Sequence, residues 1–225
     1  MCTSLAHYGF KTNYVVADGK GDELGNQVSV HDVGLSQGRL HRIFGSSKAV
    51  YQKALELDCD LYHLHDPELW PYAYLLKRKG RKVIFDAHED FPKALLSKYY
   101  LNKVTATVLS SLAAKVEKFV CSRLDHVIGA TPSITRKYTS INRTTNVNNY
   151  PILGEFEAKR EKADHKEIIY LGEISEIRGI SQIVQSMDYL DGVTLNLAGK
   201  IVDKGFRKEL ELLNGWKKVR DWGHV

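Results

Sequence analysis

The sequence predicts an α/β fold made of two doubly wound domains, the second of them incomplete. Short runs of β-branched and aromatic residues alternate with segments of helical period along most of the chain, the pattern of parallel strands joined by crossover helices. Glycine or an N-cap residue marks most changes of period. Residues 153–166 are rich in charge and poor in apolar positions, as an interdomain linker is. The domains are therefore placed at residues 1–152 and 167–225, with the linker at 153–166 between them.

The opening reads as a helical turn stopped at Gly9, then a strand over 12–17. A doubly wound domain ordinarily begins with a central strand leading into its first helix, so that strand is expected to be missing. A glycine-rich turn over 19–25, an edge strand over 28–33 and a helix over 46–57 follow.

Residues 61–92 form one β-α-β unit. Leu61-Tyr62-His63-Leu64-His65 alternates as a strand does, Asp66 stands at an N-cap, and Pro67 takes the first helical position, where its missing N–H costs nothing. Leu69, Trp70, Ala73, Leu75 and Leu76 recur at helical spacing. Lys77, Arg78 and Lys79 suit the negative end of the helix dipole, and Gly80 suits a left-handed cap. Val83-Ile84-Phe85 is then a buried strand. A crossover this short returns the chain parallel, so both strands end on one edge of the sheet. His65 and Asp66 leave the first strand there, and Asp86, His88, Glu89 and Asp90 leave the second. Ligands of open α/β sheets bind at that edge.

A mainly helical region runs from residue 93 to residue 123 with six cations against the single acid Glu117, a local excess equal to the net charge of +5 of the whole chain. It reads either as a solvated helix face or as a patch for an anionic membrane surface. A nucleic-acid partner is not expected, because the charges are not interleaved with stacking aromatics and no binding motif accompanies them. A strand over 126–130, a short helix capped by Thr131-Pro132-Ser133 and the segment 147–151 close the first domain. The second offers strands over 168–171, 193–198 and 219–222 and helices over 179–189 and 206–214.

At 225 residues, 43% hydrophobic and 26% charged, the composition is globular. No apolar run is long enough to span a membrane and no signal peptide opens the chain. Cys2, Cys59 and Cys121 lack metal or redox spacing and read as reduced thiols. Histidines and carboxylates at one edge raise a metal reading, but a binuclear HxHxDH motif is not met, since Asp66 follows His65 directly and Pro67 comes next.

The segments HLHDPEL and KRKGRKVIFDAHEDFP, with GATPSI, NNYP, IIYLGEISEIRGI and LNLAGK, resemble the GT-B glycosyltransferases, specifically the family 4 (group 1) enzymes of bacterial surface-polysaccharide assembly, over almost the whole chain. The resemblance implies two Rossmann-like domains. It implies a retaining transfer of a sugar from a UDP- or GDP-linked donor to a glycan or lipid-linked acceptor, with no metal or other cofactor. It also implies a cytoplasmic protein, peripheral at the inner face of the plasma membrane if the basic helices bind lipid. By the same resemblance His88 is the catalytic residue beside the transferred sugar, and His65, Asp66 and Glu89 face the acceptor.

The turn over 172–179 joins a strand to a helix N-terminus, a place suited to a diphosphate. Gly172, Arg178 and Gly179 are its candidates. Arg178 matches the second of two cations the family places there, while Glu173 stands where the first is expected. The family's glutamate-bearing motif, final helix and first glycine-containing loop have no counterpart, so a chain truncated at both ends and inactive by itself is expected. A non-catalytic truncated gene product and a GT-B sugar-nucleotide epimerase stay open as alternatives.

Overall fold

The computed structural model describes residues 1–25, 27–36, 38, 41–98, 101–150, 166–201 and 203–224, and the chain divides into two compact units, Met1–Pro151 and Ile152–Val225. Apart from Lys166, the linker expected over 153–166 lies outside the described residues.

In the first unit α1 (Cys2–His7) leads into β1 (Thr12–Val16), and β2 (Glu23–Gly25) forms an antiparallel hairpin with β3 (Val28–Asp32), which runs parallel to β1. The order β1-β3-β2 corrects the edge strand expected over 28–33, because β2 covers that edge. Its hairpin turns through Gln27 at φ +64, where the usual Asn-Gly signal has glycine, and so no hairpin signature is present in the sequence.

After α2 (Ser47–Leu57), strands and helices alternate: β4 (Leu61–Leu64), α3 (Trp70–Arg78), β5 (Lys82–Ala87), α4 (Phe91–Leu96), α5 (Lys103–Cys121), β6 (His126–Gly129), α6 (Pro132–Tyr138) and β7 (Thr144–Asn146). These four strands pair in chain order, all parallel. The first unit thus holds two sheets, with no ladder between β1 and β4 among the described residues.

Val83, Phe85 and Ala87 of β5 are at most 2% exposed and pack with Trp70, Ala73 and Leu76 of α3 and with Tyr62 and Leu64 of β4. A strand alternates its side chains, so His63 of β4 and Ile84 and Asp86 of β5 belong to the opposite face. At the head of α3, Asp66 occupies the N-cap of a 3₁₀ turn, Pro67–Leu69, but its side chain makes no capping hydrogen bond. That expectation is corrected: Pro67 starts the turn without it. Asp90 and Thr131 do cap, accepting the N–H of Lys93 at 3.5 Å and of Ile134 at 3.3 Å.

The second unit contains β8 (Glu167–Leu171), α7 (Ile180–Ser186), β9 (Thr194–Ala198), α8 (Lys204–Glu211) and β10 (Val219–Gly223), a parallel sheet of order β10-β9-β8. Leu195 and Leu197 bury one face against Ile180, Val184, Phe206 and Leu210. On the other face Ile169, Leu171 and Trp222 are exposed. The helix expected over 179–189 is α7 flanked by 3₁₀ turns, Glu176–Arg178 and Met187–Tyr189.

Candidate functional site

The parallel register of β4 and β5 sets His63 beside Ile84 and Leu64 beside Phe85, so one step further His65 stands level with Asp86. The rings of His63 and His65, two residues apart on one side of the strand, stack at 4.7 Å. Asp86 Oδ2 lies 3.4 Å from His63 Nε2, 3.6 Å from His65 Nδ1 and 3.8 Å from His88 Nε2. His65 Nδ1 and His88 Nε2 are hydrogen-bonded at 2.9 Å. One carboxylate oxygen therefore faces three imidazole nitrogens.

Burial, followed by the proximity of His63, lowers the pKa of His65 and favours its neutral form, against the opposing pull of Asp86. For Asp86 burial acts upward, yet the His63 hydrogen bond and the nearby imidazoles outweigh it and hold the carboxyl below its ordinary range. By sequence Asp86 could equally cap backbone N–H groups; in the structure it is a strand residue facing histidines. A proton on His65 Nδ1 is favoured by the Asp86 carboxylate. That proton then points to His88 Nε2, leaving Nδ1–H of His88 as its free donor.

His65, Asp66, His88 and Glu89 line a pocket of about 200 Å³ together with an aromatic wall of Trp70, Phe85 and Phe91. Trp70 packs edge-on against both phenylalanines, and its Nε1 is buried without a hydrogen-bond partner. An orphan indole donor in a pocket wall is costly unless a ligand supplies an acceptor. In the wall of the same pocket Glu117, 2% exposed, accepts from Tyr138 Oη at 2.6 Å and pairs with Lys137 at 2.5 Å, and Lys137 reaches Asp90 at 2.7 Å. This network ties α5 and α6 to the cap of α4, and so to the turn carrying His88 and Glu89. Cys121 is wholly buried, its thiol pushed up to about 12 mainly by desolvation, which makes it inert.

In the second unit the turn after β8 runs beside the turn after β9. Gly172 N–H and Ile174 N–H donate to Ala198 and Lys200 carbonyls, each at 3.0 Å. A Cβ on Gly199, at φ +151, would lie 1.7 Å from the Gly172 carbonyl oxygen, so only glycine permits the approach. Arg178 ends the 3₁₀ turn exposed, and Gly179 at φ +73 starts α7. Ser175 Oγ is buried there without a partner.

Residues 1–145 match the profile of Glycosyltransferase Family 4. The chain belongs to this family. No curated protein matches. Among solved structures, sucrose-phosphate synthase from Thermosynechococcus elongatus is similar at TM-score 0.66 and 15% identity, covering 100% of this chain and 63% of its own. HepE from Anabaena, solved with UDP-glucose, gives 0.54 and 16% over 89% of this chain and 57% of that one. The α,α-trehalose 6-phosphate synthase of Burkholderia multivorans gives 0.52 and 15%, over 94% and 64%. These identities bear on the fold, which is that of GT-B enzymes. The family 4 chain spans less than two thirds of the length of these structures.

For this family 4 protein the sequence reading and the structure meet at the pocket: His65, Asp66, His88 and Glu89 come together. Gly172, Arg178 and Gly179 share one turn in the other unit. Sequence reasoning missed His63 and Trp70. His63 was legible from its two-residue spacing to His65, whereas Trp70 has the spacing of an ordinary core position of a helix.

Proposed function

We propose that this chain serves a retaining glycosyltransferase that moves a sugar from a UDP- or GDP-sugar to a hydroxyl of a glycan or lipid-linked acceptor in surface-polysaccharide synthesis. The pocket at the carboxyl edge of β4 and β5 carries the reading. An aromatic wall with an unpartnered Trp70 N–H suits the apolar face and hydroxyls of a sugar ring, and His65, Asp66 and Glu89 supply the polar side. His88 is the catalytic residue, its imidazole oriented by His65 and, through it, by Asp86, so that Nδ1–H donates to a hydroxyl oxygen of the transferred sugar and holds it in place. In the second unit Arg178 and the glycine turn receive the donor diphosphate, and Ser175 Oγ adds a hydroxyl that the sequence reading did not include.

The acceptor side is assigned to a membrane surface. On α5, Val104, Val108, Leu112 and Val116 recur every four residues and are 39–75% exposed, a second apolar stripe besides the one that packs inward. Lys103, Lys115 and Lys118 share the helix, while its one acid, Glu117, is buried against Lys137. An exposed apolar stripe flanked by lysines suits an anionic bilayer, and no helix among the described residues is long and apolar enough to cross one.

The test is incubation of a complete two-domain enzyme that carries these residues unchanged with UDP- and GDP-sugars and lipid-linked glycans in anionic vesicles, with product read by mass spectrometry and its anomeric configuration by NMR; the 225 residues alone are expected to give no detectable transfer. Transfer with retention is expected. Inversion, or no transfer with any pair, overturns the reading.

A further inference from the structure

We infer that the sugar taken by the pocket at the carboxyl edge of β4 and β5 carries a free, protonated amino group, so that the acceptor presents an amino sugar there in place of a neutral or acidic one. This rests on the proposed sugar-binding role of the pocket and adds the charge of the ring. At about 200 Å³ the pocket is smaller than the roughly 300–1,000 Å³ of drug-sized sites, so it takes a single ring. Asp66, Glu89 and Glu117 line it, and no lysine or arginine among the described residues does. Its sign is opposite to that of the chain as a whole, at +5.

The cations that reach this wall are committed elsewhere. Lys137 sits between Glu117 and Asp90, one charge against two carboxylates. Lys93 also pairs with Asp90, but its side chain is 81% exposed and solvent screens it. Asp66 caps no N–H with its side chain, and Asp66 and Glu89 are exposed with no ion pair among the described residues. Burial favours the neutral form of His65, which supplies no counter-charge. An anionic ring would enter against this field, and a neutral one would leave the field unbalanced; an ammonium group is attracted by it, the more so inside a cleft with apolar walls. The aromatic wall adds to the preference, because the faces of Trp70, Phe85, Phe91 and Tyr138 attract a cation. Trp70 is 4% exposed and its Nε1–H, a donor only, has no partner. A simple amine would satisfy the carboxylates and leave that indole orphaned. An amino sugar brings the ammonium for the acids and a hydroxyl oxygen for the indole on one small ring.

Binding is read on the full chain, with neither donor nor transfer. Trp70 gives one of three indole N–H signals in a proton–nitrogen NMR spectrum, beside Trp216 and Trp222, and Trp70→Phe identifies it. The probes are the methyl glycosides of glucosamine, glucose, N-acetylglucosamine and glucuronic acid, titrated in slightly acid buffer. The glucosaminide should shift the Trp70 signal saturably and bind about tenfold tighter than the two neutral glycosides, in the range of a desolvated cation on aromatic faces. The glucuronide should not shift it, and added salt should narrow the margin. Asp66→Asn combined with Glu89→Gln, both at exposed side chains and checked for folding by circular dichroism, should remove most of the preference. Equal binding of the glucosaminide and its N-acetyl form, or binding of the glucuronide, overturns the amino group and leaves the sugar pocket standing. No shift with any glycoside overturns the amino group and the placement of a sugar in this pocket together. An unchanged preference in the folded double variant also overturns the inference, since the carboxylates are then not its cause. The titrations of the unsubstituted chain decide the matter even if that variant fails to fold.

Discussion

The carboxyl edge of β4 and β5 and the carboxyl edge of β8 both lie where open α/β sheets take ligands, yet they are equipped in opposite ways. The first edge works through side chains: His63, His65 and His88 all face Asp86 and stand beside the buried Glu117 and Tyr138 with their partner Lys137. The second works through backbone: Gly172 and Gly199 let two turns run side by side, and Arg178 stands exposed beyond them. A side-chain cluster has to be held at low exposure for its charges to act on one another, so it is tied to the core behind it. A glycine turn needs only permissive dihedrals, so its chemistry is nearly separable from stability.

The largest test of this contrast is His88→Ala. In a complete enzyme carrying these residues, activity should fall by about 10²–10⁴-fold, the usual worth of a positioned acid or base, while denaturant unfolding shifts by less than about 0.5 kcal/mol, because the side chain is 44% exposed. A stability loss typical of a core truncation would make His88 part of the scaffold.

Glu117→Ala should do the reverse and cost about 3 kcal/mol, since it leaves the Tyr138 hydroxyl orphaned and Lys137 with Asp90 alone. An unfolding midpoint that does not move would show that the network does not support the first edge.

For the second edge, Arg178→Ala should weaken UDP binding by about 1.5–3 kcal/mol, the range for hydrogen bonds to charged groups, with melting unaltered. Calorimetry that finds equal affinity in the variant would remove Arg178 from the donor site.

The smallest effect serves as a control at the amino end of the β4–β7 sheet. Asp125 accepts Val83 N–H at 2.6 Å and Lys77 at 2.7 Å. Burial pushes its carboxyl up, but these two partners pull it further down, below the ordinary 3.8. A depressed carboxyl stabilises the fold above its ordinary value and loses that contribution as pH falls through the lower folded one. Asp125→Asn should therefore cost about 1 kcal/mol at pH 7, discounted for partial exposure. The difference from the unsubstituted protein should close below pH 3.8. A gap that persists in acid would assign the cost to lost hydrogen-bond geometry.

Local sequence was enough to set the β-α-β unit of 61–92 and the strand ends that carry His65, Asp66, His88 and Glu89, because side-chain period, N-cap residues and glycine stops are local properties. It was enough also for the strand-turn-helix that holds Arg178. Everything that depends on which strand lies beside which came from tertiary pairing. Only the parallel register of β4 and β5 sets Asp86 among the three histidines, and only packing buries Trp70 Nε1 without a partner. The hairpin through Gln27 escaped for the same reason in small: with no Asn-Gly to announce it, the pairing of β2 with β3 set that turn. Contacts between residues distant in sequence leave no periodic trace along the chain, so a site built across strands is read from the sequence one strand at a time.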